Sequence, residues 1–186
     1  MNEYIVGADE VGYGSWAGPL VVCGVKADKD WTYPGLNDSK KLSAKKREAL
    51  SDVLTRLDTI TYVLVSKTNV EIDTLGLGVC LKAAYQEVAD KLLTDDATMV
   101  MDGVIKLPKP DARIVSIIKA DTTVATVMAA SIIAKVYRDN LMHKLAAQYP
   151  MYGWESNVGY GATVHKEGIK KHGLCDLHRK SYRIKL

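Results

Sequence analysis

The chain has 186 residues, 47% of them apolar, with 25 Lys and Arg against 22 Asp and Glu for a net charge of +3. This is the balance of a globular protein with a real core, not of a disordered polyelectrolyte, and no run approaches the roughly 20 uninterrupted apolar residues that cross a bilayer. The opening Met1-Asn2-Glu3 lacks the basic and then apolar pattern of a secretion signal, and Cys23, Cys80 and Cys175 form neither a CxxC motif nor an even framework. A cytoplasmic monomer with reduced thiols is expected, with no membrane partner.

Residues 4–8, 20–25 and 59–65 are short, β-branched-rich runs bounded by turn residues and predict three successive strands. Between the second and third, a helix beginning near Ser43 places Leu50, Val53, Leu54 and Leu57 on one face. A second helix is expected over 75–93, with Leu77, Leu81, Ala84, Val88 and Leu92 on its stripe. Strands at 98–101 and 113–118 follow, then a long helix over 123–148 and a last helix over 164–172 with Gly173 at its C-terminal end. Strands that first succeed one another and then alternate with helices indicate a mixed α/β sheet with helices on its faces.

Acidic residues fall at particular places on this scheme. Asp9 and Glu10 follow the first strand, Asp102 ends the fourth in "TMVMDG", and Asp121 follows the fifth in "IVSIIKAD". The carboxyl ends of strands are where an open sheet forms its ligand crevices, and strands one, four and five lying parallel would bring all four acids into one small volume. Each acid alone reads as a turn former; four together do not. Adjacent buried carboxylates repel unless something positive lies between them, and an oxygen-only donor set suits a hard cation such as Mg²⁺ or Mn²⁺.

Gly12-Tyr13-Gly14 directly follows the acidic pair and would let main-chain N–H groups approach a phosphate or ribose hydroxyl. "NDSKKLS" carries Lys40 and Lys41 in a loop ahead of a helix, readable either as helix entry or as a phosphate contact. "NVGYGATVHKEGIKKHG" sets Tyr160 between glycines, free to stack on a sugar or base, with His165 a turn into the next helix; packing is the competing reading for both. From Lys166 to Leu186 there are seven Lys and Arg against two acids, including Arg179 in "LHRKSYR". Beside an acidic centre such a basic tail would hold a nucleic-acid backbone.

Taken in order, "GADEVGYGSWAGPL", "NDSKKLS", "MDG", "IKADTTVATVMAASIIAKVYRD", "NVGYGATVHKEGIKKHG" and "LHRKSYR" make the chain resemble ribonuclease HII, the type 2 ribonuclease H family. The resemblance implies an RNase H-like fold: a five-stranded mixed sheet flanked by helices, with a helical C-terminal segment. It implies one catalytic domain over 1–186, whose residues 147–186 contact the substrate. It further implies endonucleolytic cutting of the RNA strand of RNA/DNA hybrids and of ribonucleotides embedded in DNA, leaving 5′-phosphate and 3′-hydroxyl ends. By position, the metal-binding acids fall on Asp9, Glu10, Asp102 and Asp121, the loop lysine on Lys40, and the substrate-stacking tyrosine on Tyr160. Gly12, Tyr13, Gly14, His165 and Arg179 complete the expected substrate contacts.

The chain departs from the family at Tyr13, where arginine is usual, at Ala162, where threonine or serine is, and at Tyr182, where phenylalanine is common. The missing arginine keeps open a type 3-like ribonuclease H without junction preference. A catalytically silent hybrid-binding module is the alternative of a different class. Asp139 reads equally as a helix-surface partner of Arg138 or Lys135 and as a residue near the metals.

Overall fold

A computed structural model describes residues 3–185. Five strands, β1 (Tyr4–Val11), β2 (Leu20–Asp28), β3 (Thr61–Lys67), β4 (Ala97–Asp102) and β5 (Ile114–Ile117), form one sheet in the order β3-β2-β1-β4-β5. β1, β2 and β3 pair antiparallel, whereas β1 with β4 and β4 with β5 pair parallel. The sheet is therefore mixed, with β1 at its centre and the carboxyl ends of β1, β4 and β5 pointing the same way.

Two helical layers cover the faces. Alternation along β1 and β4 turns Val6, Ala8, Met99 and Met101 toward α3 (Leu77–Leu92), where Tyr85, Val88 and Leu92 meet them in one apolar cluster. On the other face Cys23, Val25 and Ala27 of β2 pack with Leu54 of α1 (Ala44–Leu54) and Ala129, Ile132 and Ile133 of α4 (Ala125–Ala146). Small residues let α4 lie close on the sheet. A Cβ built on Gly7 would fall 2.3 Å from the Thr126 carbonyl carbon and the Val127 nitrogen, so glycine is what permits the helix to cross β1 there.

Beyond α4 the chain folds back on that helix's second half. α5 (Trp154–Asn157) and α6 (Thr163–His172) gather Trp154, Tyr152, Val158 and Ile169 against Met142 and Ala146 in a third cluster. Among the described residues no helix is long and apolar enough to cross a membrane, and the three cysteines are free thiols.

Two local expectations are corrected, and one short helix was not expected. β1 continues to Val11, so Asp9 and Glu10 lie within the strand, because β2 keeps pairing with it as far as Val11↔Val21. The helix expected over 75–93 is preceded by a separate α2 (Asn69–Leu75), ended by Gly76 at φ 87° and started by a Thr68/Glu71 capping box. α5 has only four residues and no periodicity to announce it.

Candidate active site

The strand ends make the site. Pairing of β1 with β4 stops at Ala8↔Met101, leaving the last residues of β1 open above the end of β4. Strand alternation then separates the acidic pair instead of converging it. Asp9 faces α4 and is hydrogen-bonded by Ser131, while Glu10 faces α3 and accepts a 2.5 Å hydrogen bond from the Tyr85 hydroxyl. Asp102 ends β4 and accepts from the Ala120 N–H at 2.7 Å. That amide belongs to a short 3-10 turn, Ala120–Thr122, entered through Lys119 in a left-handed conformation at φ 62°, which costs a non-glycine residue about 1 kcal/mol. The turn carries Asp121, which is buried and receives the Lys40 ammonium at 3.3 Å.

Lys40 comes from the loop ahead of α1. Its neighbour Ser39 is buried and lies 2.9 Å from Ser131, and Arg47 donates to the Ser39 and Leu42 carbonyls. Ser131 also hydrogen-bonds Asp9, and either hydroxyl of the serine pair can be the donor between them. The lysine loop is thereby tied to both Asp121 and Asp9.

The glycine loop forms the opposite wall. Gly12 adopts φ 85°, and a Cβ there would fall 2.3 Å from Arg138 Nε. Gly14 has open space around it, so only the first glycine is required by the fold. Arg179 donates to the Gly12, Tyr13 and Gly18 carbonyls, and Arg138 to Pro19, Ala17, Val158 and the Ser15 hydroxyl. The Tyr182 hydroxyl donates to the Tyr13 carbonyl at 2.9 Å, a contact that phenylalanine there would lack. Tyr160 accepts from the Gly12 N–H through its own hydroxyl at 3.0 Å.

These walls enclose a cleft of about 300 Å³ lined by Asp9, Glu10, Gly12, Tyr13, Gly14, Lys40, Asp102 and Tyr160, together with Ser39, Arg47, Ser131 and Lys135. Asp121 lies behind Lys40. His165 and Arg179, expected as substrate contacts, are fully buried, with their ring and guanidinium nitrogens bonded to protein groups. This corrects the expectation of direct contact: Arg179 is part of the loop's frame, not of a solvated tail. Asp139 pairs with Lys135 at 2.9 Å on α4. The sequence reading missed Tyr85, Ser39 and Ser131. Ser39 and Ser131 lie inside quoted motifs, but nothing in their spacing told that they would touch.

Electrostatics give the cleft its character. Burial pushes the Asp9 carboxyl up to about 7, with Glu10 and Asp102 adding to the rise and hydrogen bonds from Ser131 and the Glu10 amide opposing it. Burial also raises Glu10, against the Tyr85 hydrogen bond and with Asp102 adding. Lys40 loses something to burial, but Asp121, Asp38 and Asp9 more than offset this and hold its ammonium above the ordinary range. Partly desolvated carboxylates that repel one another are the donor chemistry of a hard divalent cation, and they fit one better than they fit each other. Among the described residues no three acid, His or Cys side chains are already gathered to enclose an ion. Tyr85, the Ala120 amide and Lys40 each hold one acid by an oxygen.

The mixed five-stranded sheet with carboxylates at its parallel strand ends is of the RNase H-like class. The fold matches ribonuclease H2 from Pyrococcus horikoshii OT3 with a TM-score of 0.80 at 26% identity, covering 97% of this chain and 94% of that one. Ribonuclease HII of Helicobacter acinonychis is 41% identical over 97% of this chain and 96% of its own length. That of Clostridium beijerinckii is 41% identical over 99% of this chain and 69% of its own. The sequence profile of ribonuclease HII matches residues 6–185. The chain belongs to the ribonuclease HII family and is a ribonuclease H, an endonuclease acting on nucleic acid.

Proposed function

We propose that this chain, acting as one catalytic domain, hydrolyses the RNA strand of RNA/DNA hybrids and cuts at ribonucleotides embedded in duplex DNA, leaving 5′-phosphate and 3′-hydroxyl ends. The observation that carries the reading is the set of strand-end carboxylates around one cleft, with Asp9 driven up to about 7 by burial and like charge. Asp9, Glu10, Asp102 and Asp121 would hold one or two Mg²⁺ or Mn²⁺ ions. When bound, such ions activate the attacking water and neutralise charge on the phosphate and the leaving oxygen.

The chain's own groups supply binding and selection. Lys40, with its side chain 79% exposed, is free to turn from Asp121 to a substrate phosphate. Arg179 draws the Gly12 and Tyr13 carbonyls inward, and in trans peptides this turns the Tyr13 and Gly14 N–H groups the other way, toward the cleft. Those donors suit a ribose 2′-hydroxyl, the group that separates RNA from DNA at a given position. Tyr160 offers its ring for sugar stacking across from them.

Incubating the protein with labelled RNA/DNA hybrid, DNA holding one ribonucleotide, duplex DNA and duplex RNA, in Mg²⁺, Mn²⁺ or EDTA, tests the reading. Cutting of the first two, only with a divalent ion, is expected. Binding of hybrid without cleavage in either metal would replace the enzyme with a binding module.

A further inference from the structure

Of the three histidines in the C-terminal segment, none used by the proposed chemistry, His165 and His178 are completely buried. Their protons are assigned by what surrounds them. The Cys175 N–H donates to His178 Nδ1 at 2.9 Å, so a neutral His178 carries its proton on Nε2. That nitrogen lies 3.0 Å from His165 Nε2, which also receives the Trp154 indole N–H at 3.2 Å. His165 Nε2 is thus an acceptor, and the His165 proton resides on Nδ1, donated to the Tyr160 carbonyl at 2.9 Å. Each bond fixes the next, running from the Cys175 amide through two rings to the backbone of Tyr160. An added proton would set N–H against N–H.

Tyr160 is also held at its hydroxyl by the Gly12 amide, at its N–H by the Asn157 carbonyl, at its own carbonyl by the Ala162 N–H at 2.9 Å as well as by His165, and over its ring by the Arg138 guanidinium at 5.4 Å. Its ring orientation in the cleft therefore depends on where its backbone is fixed, and among these anchors the imidazole pair alone links it to the segment after α6.

We infer that His165 and His178 are positioning residues for Tyr160, a brace of two neutral imidazoles that sets the ring against the substrate sugar. This rests on the proposed role of Tyr160 in substrate contact. Loss of the brace would weaken binding without touching the reacting atoms, so it should appear in KM before kcat.

The test compares steady-state cleavage of a hybrid by the wild type and by His165→Leu, His165→Asn, His178→Leu and Tyr160→Ala. Asparagine keeps a donor close to where Nδ1–H stands, and leucine does not. One lost hydrogen bond of ordinary net strength corresponds to roughly a fivefold effect. His165→Leu should raise KM about fivefold with kcat near wild type, His165→Asn should restore most of it, and Tyr160→Ala should raise KM at least as much as His165→Leu. Should His165→Leu fail to fold, His178→Leu, which removes the Nε2–H donor facing His165, takes its place, with the same rise in KM expected. Unchanged KM in the folded histidine variants, beside a raised KM in Tyr160→Ala, overturns the brace alone. Unchanged KM in Tyr160→Ala overturns the substrate role of Tyr160 itself.

Discussion

Tyr13 stands where the resemblance to the family leads one to expect arginine. Its side chain is 47% exposed and lines the cleft, while its carbonyl is held from behind by Arg179 and Tyr182. Tyrosine stacks and offers a hydroxyl, but it has neither the fixed charge nor the bidentate fork of arginine on a phosphate. Discrimination for a lone ribonucleotide in DNA should therefore be weaker than is usual, with cleavage of long hybrids retained. Tyr13→Arg should raise the rate on the single-ribonucleotide duplex relative to long hybrid by about tenfold, the scale of one charge-assisted contact. Equal relative rates in the two proteins would sink the idea. At this scale Asp9, Glu10, Asp102, Lys40 and Tyr160 could be placed at one cleft from the sequence because they are chemically distinctive residues at or near strand ends and loops. Arg179 and His165 misled for the same reason: residue type announces a polar role, but burial decides whether the partner is substrate or backbone.

At the scale of elements, packing of α4 on β1 sets Ser131 against Asp9. Gly7→Ala would put a methyl group 2.3 Å from the helix backbone, so it should cost about 2–3 kcal/mol and lower the urea midpoint with the slope preserved. A midpoint equal to wild type would show that the helix shifts freely. α6 and the loop after it give a second prediction. Burial, with His165 beside it, holds His178 at about 4, against 6.5 for a free histidine. The stability that comes from keeping it neutral is complete above pH 6.5 and is lost as the pH falls toward 4, by at most about 3 kcal/mol. Melting temperatures across this window should fall in the wild type and fall less in His178→Gln; parallel curves would contradict it. Strand and helix periodicities made five strands and the long helices readable. α2 and α5 escaped because one is a two-turn helix cut off by Gly76 and the other is only four residues long. The end of β1 was misjudged because turn-forming acids and glycines read as loop while β2 went on pairing.

For the whole molecule, sheet order is what turns scattered acids into one centre. β1 lies between β2 and β4, and β4 lies beside β5, so residues 9 and 102 line one cleft, with residue 121 behind Lys40 at its edge, although they are far apart in the chain. The parallel run of β1, β4 and β5 was an expectation of the sequence; the framing of the glycine loop by two buried arginines was not, since it needs α4 and the C-terminal segment to be in place. The most direct measurement is cleavage and binding of a labelled RNA/DNA hybrid by Asp102→Asn, nearly isosteric with the wild type, in Mg²⁺ and in Mn²⁺. The account predicts that hybrid binding persists and cleavage is lost in both metals. Cleavage by Asp102→Asn at the wild-type rate would contradict it.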